Sequence, residues 1–318
     1  MKKLAFLFPG QGSQFVGMGK ALFDEFEQAR KTFKEASGVL GRDLEKLCFE
    51  GPEAELNLTE NTQPAILTVS VAALRVLKEE FPLEPFYTAG HSLGEYTALV
   101  CAGSIQFEDA VRLTHLRGVF MQESAKEGVG KMTAIIGLAP EVVEELCEDA
   151  STDEEVVVPA NINSPEQIVI SGHREAVERV ETAAKDVGAK RVVPLQVSVP
   201  SHSPLMKEAE EKLKEELSRI EIGKPSIPII SNVTAEPVEE PEKIRELLTL
   251  QLTHPVRWLE TIKRMFSEGV EATLEIGPGK VLSGLTKRIE KRLLTLNFGK
   301  PEDLETIKTT LTEEEDAS

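Results

Sequence analysis

One short stretch constrains the fold more than any other: the run Phe86-Tyr87-Thr88-Ala89 leads straight into Gly90-His91-Ser92-Leu93-Gly94, and a helical pattern then reaches Cys101. A GxSxG sequence between a strand and a helix requires a sharp turn, and its two glycines tolerate the crowding on either side of the serine. The serine hydroxyl projects from that bend. The amides that open the following helix, with the positive end of its dipole, suit an oxyanion forming beside the serine. The plainer alternative is an ordinary glycine-rich loop between a strand and a helix.

The rest of the chain supplies strands and helices in alternation. Leu4 to Phe8 is an all-apolar run ended by Pro9-Gly10, which reads as a strand buried on both faces. A helical pattern covers about residues 19–36. Thr62 is placed to cap a second helix over Gln63-Pro64, with Ile66, Val69, Ala73, Leu74 and Leu77 as its apolar face. Another helix reads over residues 108–126. The middle of the chain then gives strands at 132–137, 155–160, 167–171 and 191–197 with helices at 140–150 and 174–187, the β-α-β-β-α-β order of a ferredoxin-like unit. Beyond it, Ser203 as cap and Pro204 start a helix to about Leu217, strands read at 227–232 and 272–276, and a helix at 281–292. The expectation is a large, hydrolase-like α/β domain built from residues 1–128 and 198–318, with a mostly parallel sheet covered by helices. A ferredoxin-like subdomain is expected at 129–197. Ligands in such folds meet the carboxyl ends of the strands.

Composition narrows the partners. The formal net charge of -18 opposes non-specific attraction to nucleic acid or anionic membranes, and no apolar run approaches the roughly 20 residues that span a bilayer. Three cysteines, Cys48, Cys101 and Cys147, cannot all pair within the chain and form no CxxC motif, so a reducing cytoplasm is expected and a structural zinc site is not. The acidic end, Thr312 to Ser318, reads as a frayed tail.

A serine nucleophile needs a base, and five histidines are available. His91 adjoins Ser92, but the turn aims it elsewhere. His115 lies within a helix, His173 opens one in the insert, and His254 precedes Pro255. His202 sits between the end of a strand run and a capped helix, whose positive end favours a neutral imidazole. It is the preferred base, against the alternative of a surface histidine beside a turn. Arg117 shares a helix face with Ala110, Leu113 and Phe120. An arginine among apolar residues must snorkel outward, pair with a buried carboxylate, or await an anionic ligand.

Eight motifs in order then carry a family resemblance over residues 8–292: PGQGSQ at 9–14, TQPAI at 62–66, GHSLGEY at 90–96, RGVFMQE at 117–123, NINSPEQIVISG at 161–172, SVPSHSPLM at 198–206, QLTHPVRW at 251–258 and EIGPGKVLSGL at 275–285. With these the chain resembles the malonyl-CoA:acyl carrier protein transacylases of bacterial type II fatty acid synthesis. The resemblance implies that malonyl passes from malonyl-CoA through Ser92 to the phosphopantetheine thiol of acyl carrier protein. It makes His202 the base, oriented by the backbone carbonyl of Gln251, and forms the oxyanion hole from the Gln11 and Leu93 amides. Arg117 becomes the grip for the malonyl carboxylate, and Gln63, Asn161, Asn163 and Met121 become pocket residues. No metal or redox cofactor is implied, and a cytoplasmic monomer is expected. Glu166 and Ser201 depart from the family's usual glycine and bulky aromatic. The former suggests a loop with no need of positive φ, the latter a looser pocket. A serine thioesterase and a non-catalytic carrier-binding protein are the rival readings.

Overall fold

The five apolar residues of β1 (Leu4–Phe8) are buried without exception, as the all-apolar run requires of a central strand. The computed structural model describes residues 2–125, 128–195 and 199–312. Along that chain follow β2 (Tyr87–Gly90), β3 (Gly130–Ile136), β4 (Val157–Ser164), β5 (Gln167–His173), β6 (Arg191–Pro194), β7 (Ile229–Ile230), β8 (Pro237–Val238), β9 (Ala272–Ile276) and β10 (Leu294–Phe298). The larger sheet has the order β10-β9-β1-β2-β7-β8, parallel from β10 through β7, with only β8 antiparallel. The long helix Thr59–Glu80 packs on one face with the helix Phe107–Ser124, and the helices Trp258–Ser267 and Val281–Ile289 cover the other. Glu275 ties β9 to the last of these, its two carboxylate oxygens accepting from the amides of Leu282 (3.0 Å) and Ser283 (2.7 Å).

The smaller sheet, β4-β5-β3-β6, is antiparallel throughout and packs against the helices Pro140–Ala150 and Arg174–Asp186. That is the strand order of a ferredoxin-like unit. Its edge strand reaches the larger body: Asn161 bridges Val256 in parallel, with Ile162 N donating to Val256 O (2.9 Å) and Val256 N to Ala160 O (2.8 Å). The last two positions of the strand expected at 191–197 lie outside the described residues, as do Lys126 and the acidic residues 313–318.

Three helix starts differ from the sequence reading. The pattern over 19–36 is two helices, Lys20–Glu25 and Glu27–Leu40, because Phe26 takes an extended backbone. Thr62 caps nothing: the second helix begins at Thr59, and the Thr62 hydroxyl donates to Leu56 O. Pro64 therefore sits inside that helix and leaves the Glu60 carbonyl without its usual donor. His115 Nδ1 (3.0 Å) and Arg42 Nη2 (3.4 Å), from outside the helix, donate to that oxygen instead. At Ser203 a single 3-10 turn, Pro204–Met206, precedes the helix Lys207–Leu217, and the Ser203 hydroxyl points back to donate to Pro200 O (2.7 Å).

Candidate active site

Ser92 stands at the end of β2 with φ 51°, a left-handed conformation that a non-glycine residue holds only under tertiary constraint. Its flanking glycines make the bend possible. A Cβ on Gly90 would lie 1.8 Å from Gly94 C, and one on Gly94 would lie 2.0 Å from Phe8 O, so a methyl group at either place would push β1, β2 and the helix apart. The constraint on Ser92 itself is a pair of side-chain clamps. Asn232, just beyond β7, accepts from Ser92 N (2.6 Å) and donates to Gly90 O (2.6 Å), while Gln251 Nε2 donates to Ser92 O (3.0 Å).

His202 also has a positive φ, 59°, which turns its ring inward, where it is 2% exposed. Its Nε2 lies 2.8 Å from Ser92 Oγ, and its Nδ1 lies 2.7 Å from the main-chain oxygen of Gln251. A carbonyl oxygen only accepts, so Nδ1 carries the proton and Nε2 presents its lone pair to the serine hydroxyl. The other four histidines are engaged elsewhere. His91 Nε2 donates to Asn163 Oδ1 (2.8 Å) and its ring meets Trp258 edge-on; His115 donates to Glu60 O; His173 Nδ1 accepts from Val156 N (2.9 Å); His254 is exposed beside Leu250 O.

Burial pushes the His202 ring down from its ordinary value to about 3, with the Arg117 cation as the second cause. The imidazole of the substrate-free protein is accordingly expected to remain neutral at pH 5 in an NMR titration, and a midpoint near 6.5 would contradict this. Protonation of this site favours the unfolded chain, so its contribution to stability is full above about pH 6.5 and is lost as pH falls toward 3.

Arg117, 1% exposed, neither snorkels nor forms an ion pair with a carboxylate among the described residues. Its Nη1 donates to Gln63 Oε1 (2.7 Å), and its Nη2 to Gln251 Oε1 (3.0 Å) and Ser92 Oγ (3.2 Å). The third option, an arginine facing a ligand, fits its position: it lines a cleft of about 100 Å³ with Ser92, His202, Gln11, Met121 and Asn161. Leu195 and Met132 of the small-sheet segment, and Val199 and Ser201, close the same cleft. It is therefore small, and it opens at the carboxyl ends of β1 and β2, where a parallel sheet receives ligands.

Two expected pocket amides stand behind the cleft wall. Gln63 is fully buried and holds Arg117 with its oxygen while its nitrogen donates to Met121 Sδ (3.3 Å). Asn163 is occupied by His91. Gln251 is fully buried, and its side chain is as engaged as its carbonyl. The main-chain amides of Gln11 and Leu93 donate to no protein acceptor among the described residues, which leaves both available to an oxyanion. Glu166 pairs with Lys190 at the surface and has no positive φ.

Sequence reasoning missed Glu95 and Asn232. Glu95 Oε2 accepts from Gln251 Nε2 (2.5 Å) and Oε1 from Asn232 N (3.4 Å), and burial raises its carboxyl to about 7. Its place in GHSLGEY was the one available signal.

A serine on a strand-to-helix bend, a neutral histidine within hydrogen-bond reach and two free amides define a serine acyl-transfer site on an α/β frame. Residues 5–294 match the family described as acyl transferase domain. A malonyl CoA-acyl carrier protein transacylase from Bacillus subtilis (strain 168) is 49% identical over 316 residues, which cover 99% of this chain and 99% of that one. The crystal structure of an acyl carrier protein S-malonyltransferase from Vibrio cholerae superposes with a TM-score of 0.94 at 48% identity, covering 96% of this chain and 99% of that one. A structure described as a type II PKS acyl-carrier protein in complex with its malonyl-transacylase matches with a TM-score of 0.93 at 50% identity, over 96% and 98% of the two chains. The chain belongs to the malonyl CoA-acyl carrier protein transacylase family. Among its described residues no helix is long and apolar enough to cross a membrane.

Proposed function

We propose that this enzyme transfers malonyl from malonyl-CoA to the phosphopantetheine thiol of acyl carrier protein through an ester on Ser92, supplying fatty acid chain elongation. The observation that carries the malonyl assignment is the buried Arg117 guanidinium, 3.2 Å from Ser92 Oγ and bonded only to uncharged acceptors. A planar cation in that position recognises the free carboxylate of a short dicarboxylic acyl group.

In the first half reaction Ser92 Oγ attacks the thioester carbonyl and its proton passes to His202 Nε2. The Gln11 and Leu93 amides hold the tetrahedral oxyanion, the carbon–sulfur bond breaks, and coenzyme A leaves with the proton from His202. In the second half His202 takes the proton of the carrier thiol, the sulfur attacks the malonyl ester, and Ser92 recovers its hydrogen. Every proton has a place on this chain and no electron changes hands, so the scheme calls for neither a metal nor a redox cofactor. The same reading takes residues 1–128 and 198–318 as the catalytic domain and 129–197 as the insert that closes the cleft, in a cytoplasmic monomer.

Because one acyl site serves both thioesters in turn, initial rates measured against malonyl-CoA at several carrier concentrations should give parallel double-reciprocal lines. Intersecting lines would mean that both substrates must be bound together, and the acyl-serine scheme would fall.

A further inference from the structure

Arg117 is buried, yet each of its hydrogen-bond partners, Gln63 Oε1, Gln251 Oε1 and Ser92 Oγ, is uncharged. A buried cation without a counter-charge is costly to hold. Glu95, 3% exposed and in the first turn of the helix Gly94–Cys101, carries the carboxyl whose ionised form favours the Arg117 cation. The two side chains do not form an ion pair. Between them lies the Gln251 amide, whose oxygen accepts from Arg117 Nη2 (3.0 Å) and whose nitrogen donates to Glu95 Oε2 (2.5 Å).

That arrangement settles two things. The ends of a carboxamide are nearly alike in shape, so only hydrogen bonding decides which one faces the guanidinium. The Glu95 oxygen that accepts at the nitrogen end fixes the amide oxygen toward Arg117; the reverse orientation would set donor against donor. A direct Glu–Arg pair would also balance the charge, but it would fill the guanidinium fork that a ligand carboxylate needs. Relaying the negative charge through an amide leaves the cleft-facing side of Arg117 open.

We propose that Glu95 is a positioning residue for acyl selection, which orients the Gln251 amide and so holds Arg117 charged, unpaired with protein carboxylates and aimed into the acyl cleft. No part of it touches the reacting atoms, and the proposal rests on Arg117 being the malonyl anchor.

The test measures Ser92 acylation by malonyl-CoA and by acetyl-CoA in single turnovers, for wild type, Glu95→Ala, Glu95→Gln, Arg117→Ala and the double variant Glu95→Ala/Arg117→Ala, each with its thermal melt. In Glu95→Ala the malonyl-to-acetyl rate ratio should fall about tenfold or more, with the acetyl rate changing far less, since directly coupled groups commonly interact at that scale. Glu95→Gln keeps an acceptor for Gln251 Nε2 and should lie between. The double variant should discriminate no worse than Arg117→Ala alone, because Glu95 acts through that residue. An unchanged ratio in Glu95→Ala, or an equal loss for both donors, overturns the proposal. If Glu95→Ala does not fold, Glu95→Gln decides alone: a lowered ratio supports the proposal and an unchanged one overturns it. An unchanged ratio in Arg117→Ala would instead remove the malonyl reading of Arg117 itself.

Discussion

Ser92→Ala should end acyl-enzyme formation while leaving the fold intact: intact-protein mass spectrometry after mixing with malonyl-CoA shows the adduct on wild type and none on the variant. The change deletes one oxygen from a partly buried side chain, so no large cavity opens. The groups that hold the bend, Asn232 on the amide and Gln251 on the carbonyl of residue 92, act on its main chain and survive the substitution. What disappears is the atom 2.8 Å from His202 Nε2, and no other hydroxyl is in contact with that nitrogen among the described residues. Residual turnover by water is expected, since the oxyanion donors remain and such donors alone sustain about 10³ to 10⁴ over the uncatalysed rate. An adduct of equal yield on the variant would take Ser92 out of the mechanism.

Arg117→Ala should lose most of its malonyl transfer and keep or gain acetyl transfer. Removing one member of a close, desolvated charge pair commonly costs about 2 to 5 kcal/mol, or roughly 30-fold to several thousandfold in the specificity constant. Acetyl has no distal carboxylate. In wild type it must share the cleft with a guanidinium that its methyl group cannot pair with, and in the variant that cost is gone. The same cation is the second cause of the low basicity of His202, so its removal leaves the base stronger for every acyl donor. The measurement is kcat/KM for both acyl-CoA donors with holo-carrier protein as acceptor. A variant with undiminished malonyl preference would return Arg117 to a structural role.

Local signals made the frame readable in advance. Alternating apolar runs and turn residues located the strands, and the insert follows its β-α-β-β-α-β pattern because each strand there carries its own periodicity. Ser92 and His202 were legible because a bend and a strand-to-helix junction constrain the residues at them. The errors arose where distant groups decide the outcome. Pro64 looked like a first-turn proline, since nothing nearby in sequence reveals that His115 and Arg42 supply the donors its ring takes away. Glu95 falls in the helical pattern after Ser92 and Asn232 ends the strand read at 227–232, and neither position by itself marks a buried polar contact. Their joint work, clamping Ser92 and steering Gln251, depends on side chains brought together from the helix Gly94–Cys101, the segment after β7 and the end of the helix Pro241–Leu250. No local pattern encodes that meeting.

The central claim is that malonyl on Ser92 goes to a carrier thiol rather than to water, and a chase of the isolated acyl-enzyme tests it most directly. The malonyl-enzyme is freed of coenzyme A, mixed with holo-carrier protein, and both proteins are followed by mass spectrometry while free malonate is quantified. Malonyl should leave Ser92 and appear on the carrier in equal amount, much faster than it hydrolyses when the carrier is absent. Release mainly as malonate, with the carrier left unacylated, would make this chain a thioesterase and contradict the account.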